Sequence, residues 1–106
     1  MVERFDIYLL NLDAVIGKDA KNTRPCVVVS PDEMNRNLSS VIVAPISSSS
    51  IEYPTRLPIS ILNSPRLMVL DQLRTVDKQR LVKKIGNVEK PAQKDILDRL
   101  QEMFAE

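Results

Sequence analysis

Short apolar runs separated by polar segments fill most of the chain. Apolar residues alternate in part along 5–12, and further apolar runs cover 25–30, 41–46, 55–60, 66–70 and 81–88. Each run predicts a short β-strand. The β-branched run that begins at Pro25 is typical of a central, buried strand, whose first residue can lack a ladder donor. Pro54 and Pro58 instead favour a sheet edge for residues 55–60.

The polar segments between these strands differ in character. Residues 13–23 form a loop longer than a hairpin requires, and loops of this length often carry function. Residues 31–40 are polar, with one helical turn expected around 32–34. The strand at 66–70 is expected to continue or bend into 71–75, and four serines at 47–50 follow the strand at 41–46.

Residues 91–105 have the periodicity of a helix. Their apolar side chains recur along one helical face, and Pro91 suits the first turn. The predicted amphipathic helix would cover the open side of a small sheet. Short strands closed by one helix indicate a mainly β fold, a small and partly open β-barrel with a C-terminal helix. The apolar face consists of Ile96, Leu97, Leu100, Met103 and Phe104.

Composition narrows the class of protein. A chain of 106 residues predicts a single domain over 1–106, and 43% hydrophobic with 27% charged residues is typical of a globular protein. Fifteen basic and 14 acidic residues leave a net charge of +1, so the net charge does not indicate a strongly basic nucleic-acid-binding protein. The N-terminus lacks the apolar segment of a signal peptide, and no run is long enough for a membrane span. We therefore expect a cytoplasmic protein.

The residue types that are missing exclude much chemistry. The sequence has no histidine and one cysteine, Cys26, which excludes histidine-dependent catalytic triads and zinc sites built from these residues. With only Gly17 and Gly86, glycine-rich phosphate loops are excluded as well. An enzyme with this composition would work with Arg, Lys, Ser, Thr, carboxylates and backbone groups. We expect no cofactor and no metal.

Two strand ends carry candidate anion-binding groups. Arg24 precedes Pro25, which biases its backbone towards an extended conformation, and its guanidinium could clamp a phosphate with two hydrogen bonds. A surface ion pair is the alternative for Arg24. The hydroxyls of Ser47 and Ser48 could bind a phosphate oxygen, or the serine run could be a simple linker.

A second polar group follows the strand at 66–70. Asp71 and Gln72 could read base edges and Arg74 could contact phosphate, whereas a salt bridge between Asp71 and Arg74 is the alternative. The basic residues that follow support RNA contact weakly, because such runs are usually solvated faces. They are Lys78, Arg80, Lys83 and Lys84.

Several motifs occur together in a recognisable order. They are R-F-D-I-Y-L at 4–9, G at 17, T-R-P-C-V-V-V-S at 23–30, N-R at 35–36, V-A-P-I-S-S at 43–48, L-D-Q-L-R-T-V-D-K at 70–78, R-L at 80–81 and I-G at 85–86. In this order the chain resembles the MazF/PemK-type toxins of bacterial toxin–antitoxin systems, over about residues 4–104. The two longest blocks together make the resemblance fairly specific.

The resemblance implies an SH3-like barrel with a C-terminal helix, assembled as a homodimer. It implies metal-independent, sequence-selective cleavage of single-stranded RNA, typically mRNA, in which the ribose 2′-OH attacks to leave a 2′,3′-cyclic phosphate and a 5′-OH. A cognate MazE-like antitoxin would neutralise the toxin with an acidic, partly disordered tail that displaces the loop at 13–23. Operator DNA would be bound only through the antitoxin, and no membrane is involved.

The resemblance also assigns residues. The family's catalytic arginine falls on Arg24 and its catalytic threonine on Ser47, while Asp71 is the best remaining carboxylate for proton transfer. The further substrate contacts are Lys18, Asn35, Ser48, Gln72 and Arg74. Two positions depart from the family besides Ser47: Lys18 lies where some relatives carry histidine, and Phe5 where relatives commonly have glycine.

Two other functions compete with RNA cleavage. A CcdB-type gyrase poison has a similar fold but uses a tryptophan near the end of its final helix, and this sequence has none. A catalytically inactive RNA-binding module is the other alternative, which the serine at position 47 keeps open.

Overall fold

The computed structural model describes residues 1–14, 21–47 and 55–105. Within them the chain forms seven strands, two α-helices and two single turns of 3₁₀-helix, Leu70–Gln72 and Lys78–Arg80. The strands are β1 (Asp6–Asn11), β2 (Thr23–Val28), β3 (Ser40–Ser47), β4 (Arg56–Ile61), β5 (Ser64–Val69), β6 (Arg74–Asp77) and β7 (Leu81–Asn87). The helices are α1 (Asp32–Asn37) and α2 (Lys90–Phe104).

The seven strands form one antiparallel sheet that curls into a half-barrel. Its order is β4-β5-β3-β2-β1-β7, and β6 pairs with the first half of β3. The strand β3 is therefore the centre of the sheet, since it pairs with β2, β5 and β6. This architecture confirms the predicted mainly β, partly open barrel with a C-terminal helix. It also confirms the edge position of β4 and the bend between β5 and β6.

One core lies between the sheet and α2. Ile96 of α2 is fully buried there, together with Val27 and Met68 from the sheet and Leu70 from the 3₁₀ turn after β5. Leu97, Leu100 and Met103 pack against them. The helix therefore covers the sheet as its periodicity predicts. Phe104 is the exception, because this last helical residue is 74% exposed.

A second core lies on the opposite side of the sheet. Its buried members are Leu10, Cys26, Val28, Val41, Val43 and Val76. Because successive side chains of a strand point to opposite faces, β2 supplies Val27 to the first core and Cys26 and Val28 to the second. The prediction of a central, buried strand is confirmed by this two-sided burial.

Three sequence-based boundaries need correction. The strand β2 begins at Thr23, so Pro25 is its third residue and pairs with Leu9 of β1 rather than opening the strand. The loop before it consequently ends at residue 22. The helix α1 extends over six residues, Asp32–Asn37, instead of one turn.

The backbone conformation of Phe5 explains why a glycine would suit this position. Its φ is +75°, a left-handed conformation that costs a non-glycine residue about 1–2 kcal/mol. Phe5 nevertheless donates from its amide to Val28 O at 2.7 Å and accepts from the Val88 amide at 2.9 Å, and its side chain is buried in the first core. The buried aromatic ring offsets the backbone strain.

A buried carboxylate joins the first and last strands beside Phe5. Asp6 is 2% exposed, accepts from the Glu3 amide at 2.8 Å and lies 3.2 Å from Lys84 Nζ on β7. The hydrogen bond and charge of Asp6 raise the pKa of Lys84. Burial, followed by the charge of Asp6, raises the pKa of Tyr8, which is paired with Lys84 across the ladder.

The hairpin between β4 and β5 has a two-residue turn, Leu62-Asn63, with φ values of +49° and +65°. Such turns favour Asn, Asp and Gly, because both central residues are left-handed. Leu62 is 77% exposed, so packing does not compensate for its strained backbone.

Leu62→Asn is therefore expected to raise the free energy of unfolding by about 0.5–1 kcal/mol, because asparagine tolerates the left-handed conformation better. Urea denaturation monitored by circular dichroism would measure the change. Leu38→Asn is the matched control, since Leu38 is also an exposed leucine but has a φ of −114°. An equal gain in both variants would show that loss of exposed apolar surface, and not relief of strain, is responsible.

Candidate functional site

A groove of about 420 Å³ opens on the side of the sheet that carries the second core. Arginine, serine and glutamine side chains line it together with apolar ones. Its polar lining residues are Arg24, Ser47, Gln72 and Arg74, and its apolar lining includes Leu10, Leu12, Cys26, Val43, Pro45 and Val69.

Strand register brings Arg24 and Ser47 together. The ladder between β2 and β3 ends at Cys26 and Pro45. Arg24 and Ser47 follow two residues further along their strands, so both side chains point to the same face as Cys26 and Pro45 and line the groove. Arg24 is also paired with Leu10 of β1, which lines the groove. The two candidate catalytic residues therefore face one groove.

The guanidinium of Arg24 is available to a ligand. Arg24 is exposed, and among the residues that the structure describes no carboxylate forms an ion pair with it. The alternative of a surface ion pair therefore has no support in the described residues. A cation without a protein counter-ion at the wall of a groove is suited to bind an anion.

Gln72 and Arg74 reach the groove from the other side of β3. Gln72 ends the 3₁₀ turn after β5, and Arg74, the first residue of β6, pairs with Val43. Arg74 is exposed and, within the described ranges, is not ion-paired. Two guanidinium groups from different strands thus line the same groove.

Asp71 has a different place. It does not line the groove, and its Oδ1 accepts from Thr55 Oγ1 at 3.1 Å and lies 3.6 Å from Arg56 Nε. The Leu70 amide also donates to Thr55 O at 2.9 Å. These contacts fasten the 3₁₀ turn to the start of β4, and Gln72 is the next residue after Asp71. The geometry assigns Asp71 to holding this turn.

Asn35 is not brought to the groove. It is 1% exposed, its Nδ2 donates to Ser30 O at 3.0 Å and its Oδ1 accepts from Ser30 Oγ. Ser30 Oγ accepts in turn from the Ile42 amide. Asn35 therefore fixes α1 against the sheet, and the expected substrate contact from this side chain is not supported. Lys18 and Ser48 lie outside the described residues.

Cys26 is a floor residue of the groove and chemically unreactive. It is 1% exposed, and burial raises the pKa of its thiol to about 12. The thiol is therefore protonated at physiological pH and behaves as a small apolar side chain. The sequence-based interpretation did not foresee the apolar part of the lining, although Leu10 and Leu12 have the strand alternation that would place them beside Arg24.

Within the described ranges, no three of the residues Cys, Asp and Glu lie close enough together to hold a metal ion. The described helices include none with the length and apolar character needed to cross a bilayer.

The fold and groove define a small β-barrel protein with two guanidinium groups at one groove. Residues 3–104 match the family model described as the PemK-like, MazF-like toxin of type II toxin–antitoxin systems, and the chain belongs to this family. Endoribonuclease EndoA of Bacillus subtilis (strain 168) is 31% identical over 108 residues, which cover 96% of this chain and 90% of that protein.

Solved structures share the SH3-like barrel at lower sequence identity. An endoribonuclease from a mycobacterial species, solved with its cognate antitoxin, has a TM-score of 0.81 at 18% identity, covering 96% of this chain and 93% of its own. A MazE–MazF complex from Deinococcus radiodurans has a TM-score of 0.79 at 17% identity, covering 98% and 95%. The Mycobacterium tuberculosis toxin MazF-mt6 has a TM-score of 0.76 at 22% identity, covering 93% and 95%.

Proposed function

We propose that this protein is an endoribonuclease toxin that cleaves single-stranded RNA, typically mRNA, at selected sequences and without a metal ion. The observation that carries the proposal is that Arg24 and Ser47 line one groove, with no protein carboxylate on the Arg24 guanidinium among the described residues. The relative in Bacillus subtilis, whose name is endoribonuclease, supports the reaction class.

Substrate-supplied attack fits the groups in the groove. The ribose 2′-OH loses its proton and attacks the adjacent phosphorus, the bond to the 5′-oxygen breaks, and that oxygen takes up a proton, so the products end in a 2′,3′-cyclic phosphate and a 5′-OH. This reaction requires no protein nucleophile. It requires groups that hold the phosphodiester in line and stabilise the negative charge that develops on its oxygens.

Arg24 is the charge stabiliser in this mechanism. A guanidinium is a permanent cation, so it suits the stabilisation of a phosphorane-like transition state better than the abstraction of a proton. Ser47, at the end of β3, donates a hydrogen bond from its hydroxyl to an oxygen of the same phosphate. Its hydroxyl is less restricted at χ1 than that of threonine, because the β-carbon is not branched.

Gln72 and Arg74 hold the nucleotides beside the cleaved bond. An amide can donate to and accept from base edges, and a guanidinium can bind a neighbouring phosphate or stack on a base. The apolar lining from Leu12 and Val69 gives an unstacked base a surface to pack against. Lys18 and Ser48 remain predicted RNA contacts.

We further propose the partners that the family suggests. Two solved neighbours are toxins bound to their antitoxins, which supports a MazE-like antitoxin for this chain. Its acidic segment would compete with RNA for Arg24 and Arg74, and operator DNA would be bound through the antitoxin alone. A homodimer and a cytoplasmic location complete the proposal.

An inactive RNA-binding module is the second candidate, favoured only by the serine at position 47. The gyrase-poison alternative is not retained, because the sequence lacks the tryptophan on which that interaction depends.

Arg24→Ala is expected to lower the rate of RNA cleavage by about 10²–10³-fold, the effect of removing one preorganised charge stabiliser. The assay is cleavage of a long single-stranded RNA in EDTA, with the new ends tested for a 5′-OH. Wild-type protein should cut RNA in EDTA and leave the all-2′-deoxy strand intact.

The matched control is Arg66→Ala. Arg66 is exposed, donates to the adjacent Pro65 carbonyl and does not line the groove, so its loss removes the same charge without touching the site. An unchanged rate in Arg24→Ala would contradict the catalytic assignment. Binding of RNA by wild-type protein without any cleavage would favour the inactive module instead.

Ser47→Ala should slow cleavage by about 10-fold or more, because a hydrogen bond to a charged phosphate contributes about 1.5–3 kcal/mol. Ser47→Thr should match or exceed the wild-type rate, since threonine keeps the hydroxyl and restricts χ1. Single-turnover rates would measure both. A loss of activity in Ser47→Thr would show that this groove has diverged from the family arrangement.

Asp71 variants separate proton transfer from positioning. Asparagine at this position can still accept from Thr55 Oγ1 but cannot take up a proton, so we expect Asp71→Asn to stay within a few-fold of the wild-type kcat. Asp71→Ala and Thr55→Val should both raise KM, because each releases the turn that presents Gln72. A loss of 100-fold or more in Asp71→Asn would establish proton transfer by this carboxylate.

A further inference from the structure

The two ends of the β1–β2 connection are pinned together by hydrogen bonds. The Leu12 amide donates to Asn22 O at 2.8 Å, and the Lys21 amide donates to the Asp13 carboxylate at 3.0 Å. On the first end, the Asp13 amide donates to Asn11 Oδ1 at 2.7 Å. These contacts close the base of the connection directly beside the groove.

Arg80 adds a contact from a distant part of the chain. Its Nη1 donates to Asn11 O at 3.1 Å and to Asp13 O at 2.8 Å, across 69 and 67 residues of sequence. Arg80 ends the 3₁₀ turn between β6 and β7, and it is half-buried. One guanidinium nitrogen therefore holds the last residue of β1 and the second residue beyond it.

The pinned segment carries residues of the groove. Leu12, which lies between the two carbonyls held by Arg80, lines the groove, and its partner Asn22 is two residues before Arg24. The ladder pairs Asn11 with Thr23 and Leu10 with Arg24. A shift of the β1 end would therefore move the strand segment that carries the guanidinium.

We propose that Arg80 is a positioning residue for RNA cleavage, which fixes the end of β1 and through it the place of Leu12 and Arg24 in the groove. The proposal rests on the endoribonuclease function proposed above. Arg80 is not among the residues that line the groove. It acts through Arg24, since misplacement of a catalytic group by about 1 Å can cost about 10²-fold in rate.

The chemistry of the contact favours arginine. Backbone carbonyls at the end of a strand have no ladder partner, and a charged donor makes a stronger hydrogen bond to them than a neutral one. A lysine has a shorter, more strongly hydrated head group on a flexible stem, so it reproduces the two contacts less well. The contact requires the donor hydrogens and not merely a positive charge at this place.

The test compares Arg80→Met with Lys83→Met. Methionine keeps an unbranched apolar stem in both variants, and Lys83 is an exposed cation on β7 away from the groove, so both variants lose one positive charge. We expect Arg80→Met to lower kcat/KM for RNA cleavage by about 10–100-fold, and Lys83→Met to change it by less than about two-fold.

A double-mutant cycle with Arg24→Ala separates positioning from a general structural role. If Arg80 acts through Arg24, Arg80→Met should have little further effect on cleavage in the Arg24→Ala background. Additive losses in the double variant would overturn the proposal, as would wild-type kinetics in Arg80→Met.

Amide hydrogen exchange tests the contact without reference to RNA. In Arg80→Met the Leu12 and Lys21 amides should exchange at least about 10-fold faster than in wild type, while Lys83→Met should leave them unchanged. Unchanged exchange in Arg80→Met would overturn the proposal even if cleavage falls. If wild-type protein does not cleave RNA, the proposed function fails, and the exchange result still reports whether Arg80 holds the end of β1 through Asn11 O and Asp13 O.

A second variant covers the case in which Arg80→Met does not fold. Asp13→Ala removes the carboxylate that binds the Lys21 amide and leaves the carbonyl that Arg80 holds. It should reproduce the faster exchange at Lys21 and a smaller loss of kcat/KM. Wild-type kinetics in Asp13→Ala, together with faster exchange, would show that the connection does not position Arg24.

Discussion

The pairing of β2 with β3 is the constraint on which the rest of the structure depends. Its register, with Cys26 opposite Pro45, decides which side chains of both strands enter each core. Arg24 and Ser47 lie two residues beyond the last pair of this ladder, and both line the groove. A slip by one residue would turn every side chain of β2 to the other face, and would lose the groove together with the cores. One ladder therefore sets both the packing of the two cores and the position of Arg24 at the groove.

The polar residues of this protein divide according to whether the fold already uses them. Asn35 and Asp71 are engaged with other protein groups, which hold a helix and a turn in place. Arg24 and Arg74 line the groove and, in the described residues, have no carboxylate partner. A polar group that the fold engages is restricted in what else it can bind, whereas a charged group at a groove wall is available to a ligand. The groove wall therefore presents two permanent cations, whereas Asp71 is engaged at the 3₁₀ turn after β5.

The sequence predicts the local parts of this arrangement and not the long-range ones. Dense β-branched runs identify the strands, and Pro25 identifies the extended backbone of Arg24, the residue before it. No local pattern shows that the Asn35 amide turns inward to Ser30, so its burial was not predicted. Phe104 has the right period for the helix face, but periodicity does not show where the sheet beneath it ends. The contacts of Arg80 span 67 residues or more, so no local pattern contains them.

Phe5 has a consequence for how the chain reaches its folded state. Its amide bonds to the end of β2 and its carbonyl to residue 88, and β1 lies between β2 and β7 in the sheet. The first strand, β1, therefore has both edges paired only after β7, the last of the seven strands, has been synthesised. Contacts of such large sequence separation slow folding, because the intervening chain must be ordered first. During synthesis the sheet therefore cannot be completed until Leu81–Asn87 has left the ribosome, and until then β1 has only one partner strand.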